Sequence, residues 1–194
     1  MIARWILSVL ACLFAVSIDS CSSDDGIEGT GHSDGSASGF GSVFVNGVEF
    51  DTSGAEILVD GEPATEDALQ VGMVLSVSGR FDANGRRGDA GRVEFDHRIA
   101  GPVDAVAAEE KRITALGQTV HVDDDTVFVG AGLDALGTED AVVVSGFLTA
   151  SDETLATRVE RLPEPYMTGS AVDVEGIARD VTLSTCRIGN LTVD

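Results

Sequence analysis

Asn46-Gly47, set between Val43-Phe44-Val45 and Val48-Glu49-Phe50-Asp51, is the feature that most restricts how this chain can fold. Both turn residues tolerate the positive φ of a two-residue type I′ turn, so the stretch predicts a β-hairpin with Val45 opposite Val48 and Val43 opposite Phe50. Directly opposed residues share a face, so these four apolar side chains point one way and Glu49 and Asp51 the other. The pattern returns. Ile113 to Ala115 and Gln118 to Val122 repeat the hairpin with Gly117 answering Gly47, Val142 to Gly146 answers Leu75 to Gly79, and Leu155 to Glu160 answers Asp89 to Glu94. The spacing drifts only by residues lost in turns, as duplicated units require.

Reading the chain in order gives an all-β architecture. After the hairpin, Glu56 to Val59 reads as a short strand and Ala64 to Leu69 as a helical turn or loop. Met73 to Phe81 alternates clearly, with Met73, Leu75 and Val77 on one face, and Ala90 to Asp96 returns after a turn at Asp82 to Gly85. Five strands without a convincing helix predict a small antiparallel sheet or barrel. The expected boundaries are 39–100 for a first module, 101–162 for a second and 163–168 for a linker fixed by Pro163 and Pro165. The last stretch, 169–194, has only the opening strands of a third, incomplete unit. The serines of Val77-Ser78-Gly79 and Val144-Ser145-Gly146 are expected to mark a bulge where each barrel closes. Arg92 and Arg158, at matched positions, are expected to form a repeated ion pair with a strand carboxylate.

The N-terminus has a different logic. Arg4 precedes an apolar run from Trp5 to Ile18 that is too short to cross a bilayer comfortably, followed by Asp19-Ser20-Cys21. This resembles a bacterial lipoprotein signal over residues 1–20, which implies export and acylation of Cys21. Asp19 departs from that pattern, where a small uncharged residue is usual. Residues 21–38 hold mostly Gly, Ser and Asp and are expected to form a flexible tether. Of the three cysteines, Cys12 leaves with the signal and Cys21 is the lipid site, so Cys186 has no disulfide partner in the mature chain.

Charge narrows the partners. Twelve Lys and Arg stand against 33 Asp and Glu, a formal net charge of -21, and only Lys111 is a lysine. Such a surface repels phosphate, so nucleic acid is excluded as a partner, while the membrane, through the lipid anchor, and an envelope protein or polymer fit. Asp123, Asp124 and Asp125, with Asp51 and Asp60 at related edges, are candidate oxygen ligands for calcium, although they lack the alternating ligand order of a dedicated loop. His97 and His121 fall at non-equivalent places, and no motif supplies the nucleophile and orienting acid that a general base needs, which argues against an enzyme. No cofactor motif is present.

The series Gly39 to Gly47, Val71-Gly72-Met73-Val74, Val77-Ser78-Gly79, Gly101-Pro102-Val103, Leu116 to Val120 and Ala156 to Glu160 resembles the bacterial domain-of-unknown-function family numbered 5666. The resemblance implies tandem small β-barrels related to the OB-fold, carried by exported proteins and lipoproteins behind Gly-rich tethers. It brings no catalytic residues. The resulting expectation is an envelope-anchored, non-enzymatic binding or structural protein, with a calcium-dependent structural or adhesion module as the alternative and a hydrolase behind both.

Overall fold

The computed structural model describes residues 29–37 and 43–194. The expected signal segment and Cys21 lie outside these residues. The described residues contain seventeen strands and three short 3-10 turns and no α-helix.

In module 1, β1 (Gly29–Ser36), β2 (Val43–Val45), β3 (Val48–Asp51), β6 (Val74–Phe81) and β7 (Arg87–Phe95) form one sheet, with β4 (Glu56–Val59) and β5 (Glu62–Pro63) appended. The Asn46-Gly47 turn has φ of 52° and 77°, the left-handed values that make a tight hairpin. Its register pairs Val43 with Phe50 and Val45 with Val48, as the sequence predicts. A single bridge between Ala37 and Val45 joins β1 to β2 and closes the barrel. Its interior is Val43, Val45, Phe50, Leu75, Val77 and Val93, all fully buried. Each such side chain stabilises the fold by about 1.5–3 kcal/mol relative to exposure.

Strand β1 corrects the expected tether. Residues 29–36 pair antiparallel with β6 along their whole length, so the first strand of module 1 begins inside the segment 21–38. Its composition hid it, because Gly, Thr and Ser give no periodic apolar signal. What holds it is backbone pairing and small size, since a Cβ on Gly35 would lie 2.3 Å from the Asn46 side chain.

Module 2 repeats this plan with β8 (Ile99–Ala107), β9 (Arg112–Ala115), β10 (Gln118–His121), β11 (Val127–Val129), β12 (Ala141–Leu148) and β13 (Thr154–Arg161). Strands β8, β9, β10, β13 and β12 close a five-stranded barrel in which the third and fifth strands run parallel. This is the connectivity of a Greek-key barrel of the OB type. The register of β6 on β7 shifts between Ser78 and Gly79, and that of β12 on β13 between Ser145 and Gly146. Both expected bulges are present, and both need glycine. A Cβ on Gly79 would lie 2.2 Å from the Asp89 carbonyl oxygen and one on Gly146 2.3 Å from that of Leu155.

The third unit contains β14 (Asp173–Val174), β15 (Ala178–Arg179), β16 (Cys186–Ile188) and β17 (Leu191–Val193). It follows the first three strands of a module. Gly176, between β14 and β15, lies against Ile188 at the end of β16, much as Gly35 of β1 lies against Asn46 and Gly101 of β8 against Leu116. Among the described residues no fourth and fifth strands stand over this sheet, and Val193 is 41% exposed where its counterpart Val120 is fully buried.

The two modules meet through a specific polar contact. The Val74 N–H donates to Ser145 Oγ at 2.8 Å, Thr157 Oγ1 donates to the Gly72 carbonyl at 2.6 Å, and Arg158 donates to the Val71 carbonyl at 3.1 Å and to the Gln70 side chain. Arg158 is therefore buried and also pairs with Glu160 at 2.9 Å. Its counterpart Arg92 holds Glu94 and Glu56, both at 2.7 Å, on an open surface. The repeated ion pair is present, but only one copy has become an interface. Replacing Arg158 by Ala is expected to lower stability by about 1–3 kcal/mol in urea unfolding, because the Val71 carbonyl and Gln70 lose a buried donor. The same change at Arg92 should leave the midpoint nearly unchanged.

Candidate binding cleft

Three ranks of residues cross the open end of module 1, each set by strand register. In the outermost rank Glu49 of β3 stands beside Arg87 of β7, with Arg87 Nε 3.0 Å from the Glu49 carboxylate. The next holds Phe50, Gly88 and Phe81, the two rings meeting edge to face at 5.5 Å over the glycine. The third runs Asp51, Asp89, Arg80 across β3, β7 and β6. Residues two apart on a strand share a face, so the first and third ranks present their charges together while Phe50 of the middle rank turns into the barrel interior. Gly88 allows this packing. A Cβ there would lie 2.9 Å from the Phe50 ring.

All residues of these ranks except Phe50 line a cleft of about 630 Å³, together with Asp82 of the β6–β7 turn and Thr52, Ser53 and Glu66. Thr52 is buried and donates its hydroxyl to Glu66. The Ser53 N–H donates to Asp51 Oδ1 at 2.8 Å, and this backbone bond holds the Asp51 carboxyl below its ordinary pKa. At Asp82 desolvation pushes the pKa up, but the backbone N–H groups of Arg86, Arg87, Asn84 and Gly85 outweigh it and the net shift is downward. Both carboxylates thus stay ionised into the acid range, and the cleft holds five carboxylates against two guanidinium groups.

The same place in module 2 carries different chemistry. There the third rank is His121, Leu155 and Phe147, with Leu155 37% and Phe147 41% exposed. His121 Nε2 lies 2.8 Å from Glu153 Oε2. One module presents charge and the other an apolar pair flanked by a histidine and a carboxylate.

The residues singled out from sequence are scattered. Asp123 Oδ1 accepts the Asp125 N–H at 3.0 Å in the β10–β11 turn, while Asp124 turns outward to Lys111 Nζ at 2.6 Å. Asp51 lines the cleft, whereas Asp60 lies at the β4–β5 turn beside His97. Among the described residues no group of three or more His, Cys, Asp or Glu side chains is placed to hold a metal ion. Cys186 is a free, half-buried thiol on β16. The cleft residues Glu49, Arg80, Asp82, Arg87 and Asp89 were missed as a site because the sequence reads 82–89 only as a hairpin turn. The available signal was the parallel pairing of β3 with β7, which no local pattern shows.

The family model described as a domain of unknown function (DUF5666) matches residues 34–94 and again residues 100–160. The chain belongs to this family. Its two DUF5666 copies coincide with the two barrels, and the first match begins within β1, in agreement with the strand found there. No curated protein and no solved structure matches the chain.

A second polar cluster lies where the DUF5666 modules and the third unit meet. Asp96 has its pKa raised, first by desolvation and then by Asp60, Glu94 and Glu175, with His97 opposing. The folded state therefore binds this proton more tightly than the unfolded chain, and ionised Asp96 costs stability above its raised titration range. Asp96→Asn should raise the melting temperature at pH about 7, and the gain should shrink as pH falls through that range and vanish below about 3.9, the ordinary aspartate value. Thermal melts at a series of pH values check it.

Proposed function

We propose that this chain is an exported bacterial lipoprotein, anchored through Cys21, whose DUF5666 modules bind another envelope component without catalysing a reaction. The observation that carries the binding reading is the charged third rank, Asp51, Asp89 and Arg80, in an open cleft at the β3 and β6–β7 margin. That margin corresponds to the ligand-binding face of OB-type barrels, where strand three and the loop between strands four and five meet the ligand. Fold analogy alone would not assign a function. Added to it is the divergence of the same rank in module 2 to His121, Leu155 and Phe147, a change that barrel closure does not demand.

The cleft favours a ligand bearing amine or guanidinium groups, such as a basic protein segment or an amino-bearing polymer. Its carboxylates outnumber its arginines, and the chain around it carries a formal net charge of -21. Phosphate-rich partners are disfavoured on the same ground. A hydrolase would need a base next to a nucleophile, and both His97 and His121 stand away from this cleft. The alternative of a calcium-dependent structural module predicts a melting temperature that rises with calcium and falls with a chelator.

Metabolic labelling with a fatty-acid analogue, comparing wild type with Cys21→Ala, tests the anchor. Label and membrane association in the wild type, both lost in the variant, are expected; an unlabelled, soluble wild type would overturn it. For the cleft, spermidine titrated by NMR should shift the amides of Phe81 and Gly88, and the Asp51→Asn, Asp89→Asn double variant should weaken that response about ten-fold.

A further inference from the structure

His97 lies between β7 and β8, where residues of module 1, module 2 and the third unit converge. The turn between β4 and β5 brings Asp60, whose Oδ1 accepts the His97 backbone N–H at 3.0 Å and lies 2.6 Å from the ring Nδ1. Strand β14 brings Asp173, whose carboxylate lies 3.9 Å from the other ring nitrogen, Nε2. The side chain is only 14% exposed, and Nε2 is buried without a hydrogen-bond partner. We infer that His97 is a proton-operated latch that fastens the third unit to the junction of the two modules.

The two ring nitrogens are not equivalent here. An ionised Asp60 can only accept, so in the neutral imidazole the proton belongs on Nδ1 and Nε2 is left with a lone pair. Asp173 is also an acceptor and offers that lone pair nothing. Protonation reverses this, since Nε2 then carries an N–H directed toward a carboxylate within ion-pair distance. The imidazolium joins Asp60 of module 1 to Asp173 of the third unit, and His97 itself belongs to the connection into module 2.

The other charges facing the ring act in the same sense or are already engaged. Asp96, just after β7, adds negative potential, and Glu175, just after β14, is held by Arg98 Nη1 at 2.6 Å. The Arg98 contact docks the segment after β14 separately from His97, which adds to it only when charged. Backbone pairing of β14 with Ile99 and Ala100, and of the Glu175 N–H with the Arg98 carbonyl at 2.8 Å, supplies a local reporter.

Amide hydrogen exchange at Glu175, read by NMR with intrinsic rates divided out, tests the latch in the whole chain. Protection at pH about 5.5 should exceed that at pH about 7.5 by roughly two- to five-fold, the scale of a partly exposed ion pair. The difference should be absent in His97→Gln and in Asp173→Asn, and should persist in Asp96→Asn. Asp173 is mostly exposed, so its variant keeps the test valid even where His97→Gln disturbs folding. Equal protection at the two pH values in the wild type overturns the proposal, as does a pH effect that survives Asp173→Asn or disappears in Asp96→Asn, which would place the proton on Asp96.

Discussion

Each barrel depends on the crossing of its fourth and fifth strands at a serine-glycine bulge. A five-stranded sheet closes only if one long hairpin bends sharply enough to face both ends of the meander formed by the first three strands. Gly79 and Gly146 supply that bend, because the facing backbone carbonyl comes nearer than any side chain allows. The unpaired residue of each bulge lies on the facing strand, Gly91 opposite Ser78-Gly79 and Thr157 opposite Ser145-Gly146. In module 2 the Ser145 hydroxyl accepts the Val74 N–H, so the device that closes one barrel also receives the other.

Duplication accounts for what surrounds this constraint. Once two copies share a plan, positions that the core does not fix are free to change, and they have changed in opposite directions. Arg158 is buried against Gln70, Val71 and Gly72, while Arg92 stays at the surface between two glutamates. Asp51, Asp89 and Arg80 give way to His121, Leu155 and Phe147. The interiors do not diverge in this way. Val43, Val45 and Phe50 in one copy and Ile113, Ala115 and Val120 in the other are all fully buried. Core packing holds its residue class under selection for stability, whereas faces and module contacts can specialise.

That contrast explains how far the sequence could be read. The Asn46-Gly47 hairpin, the Ser-Gly bulges and the repeat were legible because each is a local pattern with a steric cause. Strand β1 was not legible, because its stability comes from pairing with β6 across some forty residues and from glycines that fit beneath a distant turn. The cleft was hidden for a related reason. Asp51 and Asp89 become neighbours only through the parallel pairing of β3 with β7. His97 read as an isolated strand-edge residue, since Asp60 and Asp173 reach it from opposite directions along the chain.

The distribution of cations in so acidic a chain carries the argument one step further. With 12 Lys and Arg against 33 Asp and Glu, every cation has carboxylates to choose from, and pairing on an exposed surface adds little stability. Position is therefore more informative than pairing. Arg158 ties module 1 to module 2, while Arg98 to Glu175 and Arg179 to Asp152 tie the third unit to module 2. Arg80 and Arg87, by contrast, stand in the open cleft of module 1. Several of the arginines thus join units across joints where two acidic bodies would otherwise repel, and Arg80 and Arg87 are set apart on the face proposed to bind. A repeat protein of this charge needs the first use to hold together. The second is what distinguishes one copy of the module from the other.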